Sequence, residues 1–157
     1  MAASSLSVRS ESGTDRTVEA RSGVFSALGP AAHVILRVGA GLLFLQHGGQ
    51  KLFGWFGGFG GQPGATADLF SLMGLAGVLE FFGGLLIAIG LLTRPVGLLL
   101  ALQMVVAHFM AHQPQGGFPI QNKGELALFY ALTFFFFFAN GAGCASVDAW
   151  IAGRRRG

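Results

Sequence analysis

The sequence predicts an all-α membrane protein, a bundle of four transmembrane helices with the N-terminus and the C-terminus both cytoplasmic. Three observations predict it. The 157 residues are 52% hydrophobic and only 11% charged, whereas a soluble domain carries about 25% charged residues to solvate its surface. Apolar runs at about 31–52, 69–92, 95–112 and 124–140 approach the length of about 20 residues that a bilayer core requires. The cations are also unevenly placed. With four spans, Arg9, Arg16, Arg21, Arg94, Arg154, Arg155 and Arg156 share one side, and the opposite loops offer Lys51 and Lys123. Loops rich in Lys and Arg stay in the cytoplasm, which sets the orientation.

Residues 1–29 mix charges with serines and read as a disordered polar N-terminal tail. A cleaved signal peptide is not expected, because the first apolar run lies far from Met1 and further spans follow. Residues 30–150 form the membrane domain and residues 151–157 a basic C-terminal tail. Between the first two spans, Gly54-Trp55-Phe56-Gly57-Gly58-Phe59-Gly60-Gly61 and Gln62-Pro63 cannot hold a helix, and their aromatics suit a membrane interface. Thr93-Arg94-Pro95 is read as the tight turn between the second and third spans. Gln113 to Lys123, with Pro114, Gly116, Gly117 and Pro119, separates the third from the fourth. The run Phe134 to Phe138 is expected to face lipid or the interface, Gly141-Ala142-Gly143 to end the fourth helix, and Asp148 to cap a short amphipathic segment running through Trp150.

The 26 glycines fit close contact between membrane helices, and the 16 phenylalanines fit lipid-facing or interfacial positions. A net charge of +3 fits arginines at anionic headgroups rather than nucleic-acid binding, Arg154 to Arg156 included. The single cysteine, Cys144, leaves no CxxC pair for a dithiol mechanism of the kind used by four-helix quinone reductases with paired cysteines.

Ionisable groups inside apolar spans carry the functional signal, since each costs several kcal/mol unless paired or hydrated. They are Arg37 and His47 in the first span, Glu80 in the second, His108 in the third and Glu125 opening the fourth, with Lys51 and His112 nearer the ends. Glu80 falls on a small-residue stripe with Ala76, Gly84 and Ala88, so it points at other helices. Gly97, Ala101, Met104, His108 and Ala111 form a second stripe, and Arg37, Gly41, Phe44, Gly48 and Lys51 a third. At about 1.5 Å of rise per residue, Glu80, His108 and Glu125 lie roughly 18–21 Å from the cytoplasmic ends, with His47 a little further out and Arg37 near 9 Å. The expected site is therefore a polar layer of His47, Glu80, His108 and Glu125, with Lys51 snorkelling down to it and Arg37 below.

Three readings of this layer stay open. Glu80 neutralises Arg37 or Lys51 and the cluster fixes the bundle's register. Alternatively, His and Glu serve a polar-headed ligand such as a quinone as proton donor and acceptor. The third reading is a metal site built from His47, His108, Glu80 and Glu125, which no tight HxxxE or HxxH motif supports.

The pattern resembles the DoxX family of small bacterial membrane proteins. The resemblance rests on Arg37-Val38-Gly39, Gly48-Gly49-Gln50-Lys51-Leu52-Phe53, Glu80-Phe81-Phe82-Gly83-Gly84-Leu85-Leu86 and Gly90-Leu91-Leu92-Thr93-Arg94. It continues through Gly124-Glu125-Leu126 and Gly141-Ala142-Gly143-Cys144-Ala145-Ser146-Val147-Asp148. It implies a four-helix membrane bundle acting as a membrane subunit of a redox system linked to quinone, thiol or oxidative stress. In some relatives that system is a thiosulfate:quinone oxidoreductase. Arg37, Lys51, Glu80 and Glu125 match the family's polar positions, and His47 and His108 do not. No soluble redox domain is fused, so redox work implies a partner redox protein or a homo-oligomer. The competing functions are a non-catalytic membrane anchor that assembles partner enzymes, and a small transporter. The latter has little room for alternating access.

Overall fold

The computed structural model describes residues 12–155, and among them the regular structure is helical throughout. The helices are α1 (Ser12–Phe53), α2 (Leu72–Ile89), α3 (Thr93–Ala107), the single turn α4 (Pro119–Asn122), α5 (Glu125–Asn140) and α6 (Val147–Arg154). Among the described residues, three stretches are long and apolar enough to cross a membrane: Leu28–Phe53, Leu72–Ile89 and Thr93–Gln115. The chain is a membrane protein whose apolar outer surface meets a lipid bilayer. The fourth apolar helix, α5, has 16 residues, or about 24 Å of rise, less than the roughly 30 Å of a hydrocarbon core.

Glycines explain how these helices pair. Any Cβ at Gly41 would lie 2.6 Å from the Gly84 carbonyl and the Ala88 amide nitrogen, and one at Gly48 would run into the Gly77 and Phe81 backbone. The α1 and α2 backbones therefore touch along their length, which only missing side chains permit. Gly97 does the same for α3 against the Phe134 carbonyl of α5. Residues from all four long helices then meet in one core, among them Ala40 and Phe44, Ile87, Leu100 and Met104, and Tyr130, Phe134 and Phe137.

Several expectations are corrected. The expected tail of residues 1–29 becomes, from Ser12 onward, the start of α1; residues 1–11 lie outside the described residues. Pro30 sits inside α1. The break between the second and third spans falls at Gly90–Leu92, where Gly90 and Leu92 take positive φ. Thr93 to Pro95 form the first turn of α3, where proline's missing N–H costs nothing. The phenylalanine run does not all face outward: Phe134 and Phe137 are fully buried while Phe135 and Phe136 are exposed, as helical periodicity requires. Residues 151–155 belong to or abut α6, and Arg156 and Gly157 lie outside the described residues.

The two ends of the molecule differ. At one end, helix termini are capped by side chains from distant elements. Arg37, 1% exposed, donates to the Ile87 and Ala88 carbonyls at the C-terminus of α2 and to the Ala145 carbonyl. Arg94 donates to the Phe138 and Ala139 carbonyls at the end of α5, and His33 hydrogen-bonds the Gly141 carbonyl. Asp148 accepts from the Leu92 and Thr93 amides at the N-terminus of α3. It thus caps α3; its own helix, α6, is capped by Ser146. Cations at helix C-termini and an anion at an N-terminus are what the helix dipole favours.

Candidate functional site

At the other end the four helices enclose a cavity of about 370 Å³, within the range of roughly 300–1,000 Å³ typical of small-molecule sites. Helix α1 contributes Phe44, His47 and Lys51, spaced to share one face. Helix α2 contributes Leu72, Met73, Ala76 and Glu80, and α3 adds Gln103, Met104, Val106 and Ala107. Past α3 the chain widens into a π-helical turn, His108–His112, of which Met110, Ala111 and His112 reach the cavity. Lys123, Leu126, Ala127 and Tyr130 line it on the α5 side.

Its polar centre is an ion pair, with Lys51 Nζ 2.6 Å from Glu80 Oε2. Gly77 makes this possible. A side chain there would press on Lys51 Cβ and on Leu52, so the bare backbone lets the lysine stem lie flat along α2 and reach the carboxylate one turn on. Gln103 Nε2 stands 3.4 Å from Glu80 Oε1 and 3.4 Å from the Ala76 carbonyl, both long contacts. Its amide oxygen is buried with no hydrogen-bond partner. The wall beside this group is aromatic: Tyr130 packs against Phe44 and Phe134, and the His47 ring stands edge-on to Tyr130 with centroids 6.0 Å apart. A charged pair and a free amide acceptor thus face an apolar, aromatic chamber. The arrangement can hold a flat ring carrying oxygen substituents, donating through Lys51 and accepting through Glu80 and Gln103.

Of the residues expected at the site, His47, Lys51 and Glu80 line the cavity together. Arg37 does not; it caps α2 at the opposite end. Glu125 is exposed in the first turn of α5, where the helix N-terminus favours a carboxylate without a buried partner. His108 is buried behind the cavity wall, packed against Gly124, and its Nδ1 has no hydrogen-bond partner. His112, which the sequence reading set nearer the outer end, does line the cavity; its Nδ1 hydrogen-bonds the Asn122 carbonyl. Among the described residues no three His, Cys, Asp or Glu side chains are grouped to hold a metal ion. Gln103 and Tyr130 were missed from sequence. The signals available were an amide in the middle of an apolar span and the chain's single tyrosine.

The sequence profile of the DoxX family matches residues 32–113. The chain belongs to the DoxX family. An uncharacterized protein of Haemophilus influenzae is 38% identical over 116 residues, covering 72% of this chain and 85% of that protein. No solved structure matches. The matched region of this DoxX chain runs from α1 to the π-helical turn, so it holds His47, Lys51, Glu80, Gln103 and His112; Tyr130 lies beyond it.

Proposed function

We propose that this DoxX chain is a membrane subunit of a redox system and takes a quinone-class ring in the cavity around Glu80. The observation that carries the reading is the Lys51–Glu80 pair set in an otherwise apolar chamber with the Gln103 amide oxygen unpartnered. A purely structural ion pair has no use for such space, because a dry core fills it. The Lys51 ammonium is placed to donate to a ring carbonyl oxygen, and Glu80 and Gln103 to accept from a ring hydroxyl. Electrons come from a partner protein. On this reading α5 is the fourth span, both termini are cytoplasmic by the positive-inside rule, and the cavity lies in the outer half of the inner membrane.

The test is a cofactor inventory of protein purified from native membranes, by native mass spectrometry, metal analysis and solvent extraction, with Glu80→Gln in parallel. Quinone co-purifies with the wild type and is absent from a folded Glu80→Gln. A wild type that is well folded, empty and unable to take up added quinone overturns the proposal and leaves a membrane anchor in its place.

A further inference from the structure

The cavity is not walled equally on all sides. Toward α1 and the core it is closed by Phe44, Glu80, Met104, Ala127 and Tyr130, every one of them buried. Its other wall consists of residues that line the cavity and also show surface to the outside: Val106 (52% exposed), Met110 (59%) and Leu126 (53%), with Leu72 and Met73 across from them on α2. All five are apolar. Leu72, Met73, Val106 and Met110 lie on stretches long and apolar enough to cross a membrane, Leu72 and Met73 at the start of one and Met110 toward the end of the other, so an apolar wall here suits contact with lipid.

The seam between α2 and α3 explains the opening. Near the capped end, Gly83 seats the Leu100 side chain and a Cβ there would lie 2.8 Å from it, so the helices are tightly engaged. Toward the cavity end no glycine of α2 receives an α3 side chain in this way; the long contacts of Gln103 to Ala76 and Glu80 cross the seam on the inside, and the lining outside them is leucine, methionine, valine and alanine. Thioether side chains are unbranched and adaptable, and they yield to a passing chain more readily than β-branched ones do. Polar lining on this side is confined to one edge, where His112 and Lys123 stand.

Resting on the quinone reading above, we infer that the cavity opens sideways into the bilayer between α2, α3 and the start of α5, and that its ligand carries a hydrocarbon tail that stays in this doorway. The ring is held at Lys51, Glu80 and Gln103, and the tail leaves past Val106, Met110 and Leu126. The ligand class is therefore a lipid-dissolved, prenyl-tailed ring rather than a water-soluble catechol or thiol arriving from the aqueous end.

The experiment uses the full chain in lipid nanodiscs with two probes. A tail-less naphthoquinone, followed by equilibrium dialysis, reports on the ring site. A quinone bearing a photoreactive diazirine at the second isoprene unit of its tail reports on the doorway, with adducts mapped by peptide mass spectrometry. The expected result is labelling concentrated on Val106, Met110 and Leu126, lost when excess tail-less ring competes and lost in Glu80→Gln. Gln103→Leu, which removes a polar partner without stranding a charge, serves as the second variant should Glu80→Gln fail to fold. Ring binding that depends on Glu80 or Gln103, combined with labelling on Gly117, Phe118 and Lys123, overturns the lateral doorway and leaves the ring site standing. Labelling that neither competitor nor variants reduce, with no binding of the tail-less ring, overturns both.

Discussion

Arg37 and Glu80 look alike in the sequence, since each is a charge on an inward stripe, yet the structure gives them unrelated work. The guanidinium of Arg37 is consumed by backbone carbonyls of α2 and of the segment before α6. Arg37→Gln therefore removes buried charged hydrogen bonds and leaves carbonyls unpaired, a loss of about 3 kcal/mol. Thermal unfolding of the detergent-solubilised protein shows this as a lower midpoint, while the folded fraction keeps its affinity for a ring ligand. Glu80→Gln gives the opposite pattern. Lys51 is 17% exposed and its stem is long enough to turn toward the interface, so the midpoint falls less and ring binding is lost. Helical spacing made the inward direction of both charges legible. It could not reveal their partners, because those belong to segments far away in the chain, and the depth estimate blurred the distinction further. Glu125 shows the same limit. Its depth agreed with that of Glu80, but it opens a helix after the left-handed turn at Lys123 and faces outward.

At the scale of helices, the small-residue stripes were the most readable feature. Arg37, Gly41, Phe44 and Gly48 are all buried, as are Glu80, Gly84 and Ala88, and Gly97, Ala101, Met104 and His108; Lys51 and Ala76 are half-buried, and Ala111, at the end of its stripe, is exposed. The reason is physical, since backbones packed this closely in lipid exclude larger residues from the contact. Gly48→Leu forces α1 off α2 at the turn just before Lys51 and so pulls the lysine from Glu80. The expected outcome is a lower melting midpoint together with lost ring binding, whereas Gly39→Leu, at a site with open space, changes neither. The π-helical turn after α3 was not legible. Composition does not mark one extra residue per turn, and the structure sends His112 to Asn122 while burying His108. Such turns recur at functional positions, and here the turn carries Met110 and His112 to the cavity.

In the whole molecule, the two ends divide the labour. One end holds the cavity between helices that are partly separated; the other fastens the helix termini to one another by Arg37, Arg94, His33 and Asp148. The sequence made the membrane class plain, through apolar length and scarce charge, because both follow from the cost of moving charge into lipid. The fastening was hidden. Asp148 caps α3 from 55 residues away, and nothing local distinguishes that role from capping α6.

This fastening has a consequence for how the protein is made. Ala145 and Asp148 emerge only after the four long helices have been synthesised, yet they complete the corner formed by α1, α2 and the start of α3. Until they arrive, Arg37 lacks one of its acceptors and the first amides of α3 lie uncapped, so the nascent bundle carries an open latch that a membrane protease can sense. A chain stopped after Gly143 should be cleared from cells within a short chase, and one stopped after Ile151 should persist like the full-length protein. Pulse-chase measurement of the two truncations decides it. Equal lifetimes would mean that the corner closes without its last two residues, and an early loss of the shorter chain would make this segment the clasp that protects the four helices from degradation.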